Sequence, residues 1–282
     1  MLKPSSFPMI GRWIAVCLSA SSIMMSAAHA TTVQFQTSLG DFEVNLYDNA
    51  TPQTVANFLR YVNTGAYTDT MIHRSVATFV LQGGGLTFVE QGPPEYIATN
   101  DPVINEPVYS NRRGTIAMAK VASDPNSATS QWFINLSNNS ANLDVTNGGF
   151  TVFGEVTGQG MSIVDAIVAL PTFDLGSSFT HLPLMDYTQE QFEQYYLQSN
   201  DTEYQAVNED NIVFVRNIMV LDASPDTAST LTPIENTLID ANDTPSDPPP
   251  TNTDNDSGGG SLYWANLLLL LSLPVIRRRT GK

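Results

Sequence analysis

Cysteine is almost absent from this chain of 282 residues; the one example, Cys17, lies in the N-terminal apolar stretch. The rest of the chain therefore has neither a disulfide nor a thiol nucleophile. Histidine is scarce too. Beyond His29 only His73 and His181 remain, too few for a histidine metal site. Between the ends, cationic residues are few. Residues 31–260 hold all 28 acidic side chains against Arg60, Arg74, Arg112, Arg113, Lys120 and Arg216. That balance argues against nucleic acid or an anionic membrane surface as a partner and favours solubility outside the cell. Gly83-Gly84-Gly85 lacks the lysine and spacing of a phosphate loop and reads as a strand end or turn. No serine sits in a nucleophile elbow, and no internal repeat is present. Neither a cofactor nor a metal is implied.

What is present begins at the two ends. Lys3 and Arg12 precede a mostly apolar Trp13–Met25, and Ala28-His29-Ala30 has the small-residue pattern of a cleavage site. Residues 1–30 read as a secretory signal peptide cut after Ala30; an N-terminal anchor is the alternative. At the other end, Ser257-Gly258-Gly259-Gly260-Ser261 leads into an apolar run from Leu262 to Ile276, followed by Arg277-Arg278-Arg279. Fifteen helical residues reach about 22 Å, short of the roughly 30 Å hydrocarbon core. The arginines would stay cytoplasmic. This tail, residues 258–282, resembles the GlyGly-CTERM sorting signal of Gram-negative bacteria. The resemblance implies cleavage near the glycines by an intramembrane protease of the rhombosortase type, then passage to the cell surface or medium. A plain inner-membrane anchor facing the periplasm is the alternative.

Residues 31–224 form one globular candidate, large enough for a single core. Residues 225–257, rich in Asp, Asn, Thr, Ser and Pro, read as a disordered acidic linker. Its Asp254-Asn255-Asp256-Ser257 matches no complete calcium loop. Strand signals dominate the globular part. Val33 and Phe35 alternate with polar residues, as do Phe42, Val44 and Leu46, with Leu39-Gly40 between: a hairpin. Thr51-Pro52 predicts a helix start capped by Thr51; Val55, Phe58, Leu59 and Val62 follow at helical spacing, and Gly65 stops the helix. Further strands are predicted at Met71–Val76, Phe79–Gln82, Thr115–Met118, Gln131–Asn135, Thr151–Val156 and Ile212–Leu221, with a second helix over Ser162–Leu170. The pattern predicts a mainly β fold, a closed antiparallel barrel capped by two helices.

Two ordered segments carry the chemistry. One runs from His73-Arg74 to Phe79-Val80-Leu81-Gln82-Gly83-Gly84. The other runs from Gly114-Thr115-Ile116-Ala117-Met118-Ala119 to Ser130-Gln131-Trp132-Phe133-Ile134-Asn135. They supply an arginine, two glutamines and apolar residues but no nucleophile–base pair, which suits a reaction that breaks no covalent bond. With Val55-Ala56-Asn57-Phe58 and Phe153-Gly154-Glu155-Val156 in the same order, the stretch from about Val33 to Asp222 resembles the cyclophilin-type peptidyl-prolyl cis–trans isomerases, most closely the bacterial periplasmic branch.

The resemblance implies catalytic roles for Arg74, which would donate to the prolyl nitrogen, and Gln82, which would position it. It implies substrate contacts from Phe79, Val80, Ala119, Gln131, Phe133, Leu143 and Phe150. The implied partners are proline-containing peptides and unfolded exported proteins, handled by a monomer. The chain departs from the family in places. Ala77-Thr78 replace Pro-Gly before Phe79, so the turn is expected to move that ring. Val80 replaces a common methionine, and Trp132 a phenylalanine expected to face the core. Lys120 and Val121 fill variable positions. Asn142 stands where an aromatic often contacts cyclosporin, and Phe150 where histidine or tyrosine is usual. Met185–Asp210 is an insertion holding a predicted acidic helix from Gln189 to Leu197. These departures motivate a second reading: a proline-peptide binding module or chaperone with little catalysis.

Overall fold

The computed structural model of the protein describes residues 31–90, 92–176, 179–198, 206–223 and 231–239, with no side-chain detail for 196–198. The expected signal peptide, most of the expected linker and the whole of 258–282 lie outside the described residues. Among the described residues, no helix is long and apolar enough to cross a membrane.

Alternation builds the first hairpin. In β1 (Thr32–Thr37) Val33 and Phe35 point inward; in β2 (Gly40–Leu46) Phe42, Val44 and Leu46 do. The two strands pair without interruption from Thr32 opposite Asn45 to Thr37 opposite Gly40. Phe35 and Phe42 stack with centroids 4.8 Å apart. α1 (Pro52–Asn63) follows, with proline in its first turn and Val55, Phe58 and Val62 on the buried side. The expected cap does not form: the Thr51 side chain makes no cap bond. The Glu106 carboxylate does the work instead. It accepts from the Gln53 N–H at 3.2 Å and the Thr54 N–H at 2.9 Å. Those donors have no partner inside the helix, and a negative charge suits this end of its dipole. The capping group lies more than fifty residues away in the chain, beyond the reach of a local pattern.

The other elements are β3 (Thr70–Met71), β4 (Arg74–Val76), β5 (Val80–Gly83), β6 (Leu86–Thr87), β7 (Glu95–Tyr96), β8 (Thr115–Met118), β9 (Trp132–Asn135), α2 (Ser140–Leu143), β10 (Val152–Val156), α3 (Gly160–Val168), β11 (Thr172–Phe173), β12 (Leu182–Pro183), α4 (Gln189–Phe192) and β13 (Phe214–Asp222). Eleven strands form one antiparallel sheet in the order β4-β5-β9-β8-β10-β2-β1-β13-β3-β6-β7. The predicted strand Met71–Val76 is divided because its two ends have different neighbours. Met71 pairs with Phe214, and the Ile72 N–H donates to the Val213 carbonyl at 2.8 Å. The His73 N–H then donates to the Gln82 carbonyl at 3.2 Å, and Arg74 pairs with Gln82. Residues 70–76 thus join β13 to β5 and curl the sheet round. α1 packs against β13, and α3 against β2. The result is the mainly β architecture with two capping helices that the sequence predicts. The two-residue strands β6, β7, β11 and β12 carry too short a pattern to read in advance.

Phe35, Phe58, Phe153 and Trp132 meet inside the curl. Trp132 faces this core as expected, edge-on to Phe35 with centroids 5.1 Å apart. A second apolar cluster, including Met71, Leu86, Phe173, Leu184, Phe192 and Phe214, lies beside it. The insertion serves this second cluster. Its ends are tied where the Met185 N–H donates to the Asn211 carbonyl at 2.9 Å and the Asn211 amide returns to the Met185 carbonyl at 3.0 Å. Between them Tyr187 and Phe192 fold back onto Phe173. α4 starts with a capping box from Thr188 and Gln191 and runs straight on into wider helical turns at Glu193–Gln198, so the two together cover the predicted helix from Gln189 to Leu197.

Residues 231–239, inside the segment expected to be a disordered linker, lie against the domain. The Ser110 N–H donates to the Ile234 carbonyl at 2.8 Å, and the Asn236 N–H donates to the Val108 carbonyl at 2.8 Å. The polar composition of 225–257 hides these nine residues, which carry Leu231, Ile234, Leu238 and Ile239.

Candidate functional site

Strands β5, β9 and β8 are buried on both faces. One face, with Leu81, Ile134 and Ile116, looks into the core. The other begins a row that crosses the sheet: Arg74 opposite Gln82, Gln82 opposite Phe133, Phe133 opposite Ala117, Ala117 opposite Val152. Directly paired residues share a face, so these side chains stand side by side. They form the floor of an outer groove. Phe79, Val80, Gln82, Ala119, Lys120, Phe133, Leu143 and Phe150 line a small pocket in it. Phe133 and Phe150 meet edge to face with centroids 5.8 Å apart.

Arg74 stands at the polar end of the row. Its Nη1 lies 3.5 Å from the Gln82 Oε1, and the Gln82 Nε2 donates to the Gln131 Oε1 at 2.9 Å. The guanidinium lies 5.8 Å from the Phe79 ring centroid. None of the ion pairs among the described residues involves Arg74. Burial lowers its pKa from the ordinary arginine value, but that value is high enough that it stays charged at neutral pH. The site therefore presents a half-buried cation with donor capacity to spare, beside apolar surface.

The turn with Ala77 and Thr78 keeps Phe79 on the groove wall. The Phe79 N–H donates to the Val76 carbonyl at 2.9 Å, closing a tight turn. Thr78 takes φ 62°, a left-handed conformation that a β-branched residue rarely adopts. The Ser137 hydroxyl donates to the Thr78 carbonyl at 2.6 Å and holds it there.

A buried polar network supports the groove from behind. Asp144, 1% exposed, accepts from the Ser110 hydroxyl at 2.5 Å, the Asn111 N–H at 2.7 Å and the Asn111 amide at 3.0 Å. The Asn111 amide also reaches the Phe150 carbonyl at 3.2 Å. Asn135 bonds Asn111, and Asn139 bonds both Asn135 and the Phe79 carbonyl. One connected set of amides and a carboxylate therefore fixes the backbone at Phe79 and Phe150, on opposite sides of the groove.

The structure gathers Phe79, Val80, Gln82, Ala119, Phe133, Leu143 and Phe150 round one groove and links Arg74 and Gln131 to it through Gln82. Sequence reasoning passed over Lys120. It is the one lysine between residues 4 and 281, which was the available signal. Its ammonium is buried, donates to the carbonyls of Asn147 at 2.8 Å and Gly149 at 2.6 Å, and lies 4.7 Å from the Phe150 centroid. Burial pushes its pKa down to about 8, partly opposed by Asp124. His73, read as structural, is buried at the floor's edge and is held neutral. Burial, then the neighbouring Arg74, brings its pKa down to about 4.

Comparison with known proteins matches residues 32–185 to the family described as cyclophilin type peptidyl-prolyl cis-trans isomerase/CLD. A peptidyl-prolyl cis-trans isomerase of Acinetobacter baylyi is 41% identical over 166 residues, covering 58% of this chain and 85% of that one. Peptidyl-prolyl cis-trans isomerase A of Dickeya dadantii is 41% identical over 163 residues, covering 56% and 82%. Peptidyl-prolyl cis-trans isomerase B of Escherichia coli is 39% identical over 146 residues, covering 50% and 85%.

Proposed function

Given that this chain belongs to the cyclophilin-type peptidyl-prolyl cis–trans isomerase family and is an enzyme of that class, we propose that it works by offering Arg74 to the twisted amide of an Xaa–Pro bond. In the planar amide the nitrogen lone pair is delocalised, and rotation costs about 18–20 kcal/mol. As the bond twists, delocalisation is lost and the nitrogen becomes a hydrogen-bond acceptor. A donor fixed beside it stabilises that state and neither planar form, which is the condition for acceleration. The observation that carries this reading is the half-buried guanidinium of Arg74, free of any ion pair among the described residues and braced by Gln82 at the rim of an apolar groove. Val80, Phe133, Leu143 and Phe150 would receive the proline ring, and Gln131 and Ala119 the flanking backbone.

The test measures kcat/KM on Xaa–Pro peptides. Arg74→Ala should lower it about 10²- to 10³-fold, the worth of one transition-state donor. Arg74→Lys should recover only part, because a point charge cannot replace the planar fork. An unchanged rate in Arg74→Ala would sink the mechanism. Saturable peptide binding without cis–trans exchange would leave the binding-module reading instead.

The substrates in this proposal are extended segments of exported or unfolded proteins, and the enzyme acts outside the cytoplasm as a monomer. One contact supports processing at the expected site. The Thr31 backbone nitrogen lies 2.7 Å from Asp48 Oδ2, and its hydroxyl 2.8 Å from Oδ1. Cleavage after Ala30 would turn that nitrogen into an ammonium already facing a carboxylate, a stronger pair than the amide makes. The GlyGly-CTERM-like tail would be cut near Gly258–Gly260. Mass spectrometry of the protein from its native host should find Thr31 as the first residue and an end near the glycines. An intact Lys282 in most molecules would indicate a permanent membrane anchor.

A further inference from the structure

The groove wall opposite Arg74 is a loop. Leu143 and Phe150 stand at its two ends, joined where the Phe150 N–H donates to the Leu143 carbonyl at 2.8 Å. Between them the chain turns sharply, with Asn147, Gly148 and Gly149 all at positive φ. Such a loop needs outside support to hold its two apolar ends in place. On one side Lys120 and the Asn105 amide supply it. The lysine bonds the Asn147 and Gly149 carbonyls, and Asn105 the Gly148 and Gly149 carbonyls at 2.7 and 2.9 Å.

On the other side the support comes from residues 231–239, which follow the last strand and lie beyond the family match at 32–185. The Asn236 Nδ2 donates to the Asp144 carbonyl at 2.9 Å. Its Oδ1 accepts from the Leu238 and Ile239 N–H groups at 3.0 and 3.3 Å, forming a small turn. That turn delivers Ile239 to Gly149, where a Cβ on the glycine would lie 2.8 Å from Ile239 Cδ1. Two backbone bonds to the 108–110 strip hold the segment down. That strip supplies Ser110, a donor to the buried Asp144 carboxylate.

We propose that residues 231–239 are the outer layer of the groove wall, and that Asn236 is a positioning residue for Leu143 and Phe150. The proposal rests on the isomerase reading of the groove. Asn236 touches no groove residue directly; it fixes the carbonyl of Asp144, next to Leu143, and the contact at Gly149, next to Phe150. Its effect should fall on the apolar pocket and not on Arg74, which stands across the groove on β4.

The full chain is compared with Asn236→Ala, Asn236→Asp and Ile239→Ala, all at partly exposed positions. Asn236→Asp keeps the acceptor of the turn but loses the donor to Asp144. Kinetics on an Xaa–Pro peptide should show KM raised roughly fivefold, about the worth of one hydrogen bond, with kcat little changed. A loss of folded protein alone would lower kcat and leave KM where it was. In parallel, backbone amide resonances of 143–150 should shift in the variants while those of 80–83 stay put. Wild-type turnover with identical KM in all three variants would overturn the proposal. So would unshifted resonances at 143–150, even if no turnover is seen. Absence of turnover in the wild type itself would instead sink the isomerase reading. A variant that fails to fold is replaced in the comparison by Ile239→Ala, which leaves every hydrogen bond in place.

Discussion

His73 should make the domain sensitive to mild acid. The ring is 1% exposed, its Nδ1 has no hydrogen-bond partner, and Arg74 follows it in the chain. Protonation would place a second positive charge in a dry site where the new N–H has nothing to donate to. Burial first and Arg74 second bring the pKa from 6.5 down to about 4, against a weaker opposing pull from the Met71 backbone. The unfolded state then binds the proton more readily than the native state. The sign follows: this stability is fully present above pH 6.5 and is lost as pH falls towards 4. At 1.36 kcal/mol for each pH unit, the loss is about 2 kcal/mol at pH 5 and about 3 kcal/mol at pH 4. Urea unfolding of the protein and of His73→Gln at pH 7.5, 5 and 4 measures it, because every other titrating group cancels in the difference. The wild type should lose its advantage over the variant by those amounts. A difference that stays constant within about 0.5 kcal/mol from pH 7.5 to 4 would refute the reasoning.

Gly84→Ala should be severe. The residue has φ 78°, and a Cβ would lie 2.4 Å from the Trp132 Nε1 and 3.0 Å from the Ser130 carbonyl, so strain and overpacking together should cost about 2–5 kcal/mol in denaturant unfolding; a loss under 1 kcal/mol would show that Trp132 moves freely. Thr78→Gly should act the other way. Relief of the left-handed β-branched residue should exceed the added chain entropy by about 1 kcal/mol and raise the melting temperature by a few degrees; a lower melting temperature would contradict the strain argument. Cyclosporin should inhibit weakly, because the polar Asn142, which accepts from the Thr146 hydroxyl at 2.8 Å, stands where an aromatic is common, and burying its amide unpaired is costly. Asn142→Trp should tighten inhibition, and tight inhibition of the wild type would dispose of the idea.

Periodicity made the central strands legible. Val33, Phe35, Phe42 and Val44 alternate cleanly, and Thr115–Met118 has the bounds its composition suggests. The groove residues were legible through the family resemblance and not through periodicity: Val80, Gln82 and Phe133 lie on β5 and β9, but Leu143 ends a short helix and Phe79 and Phe150 lie outside every strand. What stayed hidden depends on partners distant in the chain. Glu106 caps α1 from outside the local window, Lys120 finds its carbonyls in the 147–149 turn, and Tyr187 and Phe192 cover a second core that no single segment announces. Residues 231–239 were obscured for a different reason. Nine residues of bound chain inside a long polar stretch do not alter its average composition, and their anchors are mostly backbone groups, which every sequence has.

The position of β1 has a kinetic consequence. This strand is flanked by β2, which follows at once in the chain, and by β13, whose Asp222 pairs with Thr32. Residues 70–76 likewise hydrogen-bond to β13 at one end. During synthesis the first strand must therefore wait for nearly the last before its second edge is covered. An N-terminal fragment has no complete sheet to form, and contacts of such long sequence separation are slow to make. Until then an edge carrying Val33 and Phe35 stays open to other chains. On the export route proposed above, late closure would keep the chain in a threadable state until it has crossed the membrane. Refolding of the full domain should accordingly be slow, and truncation before Phe214 should leave the chain unable to fold and prone to aggregate.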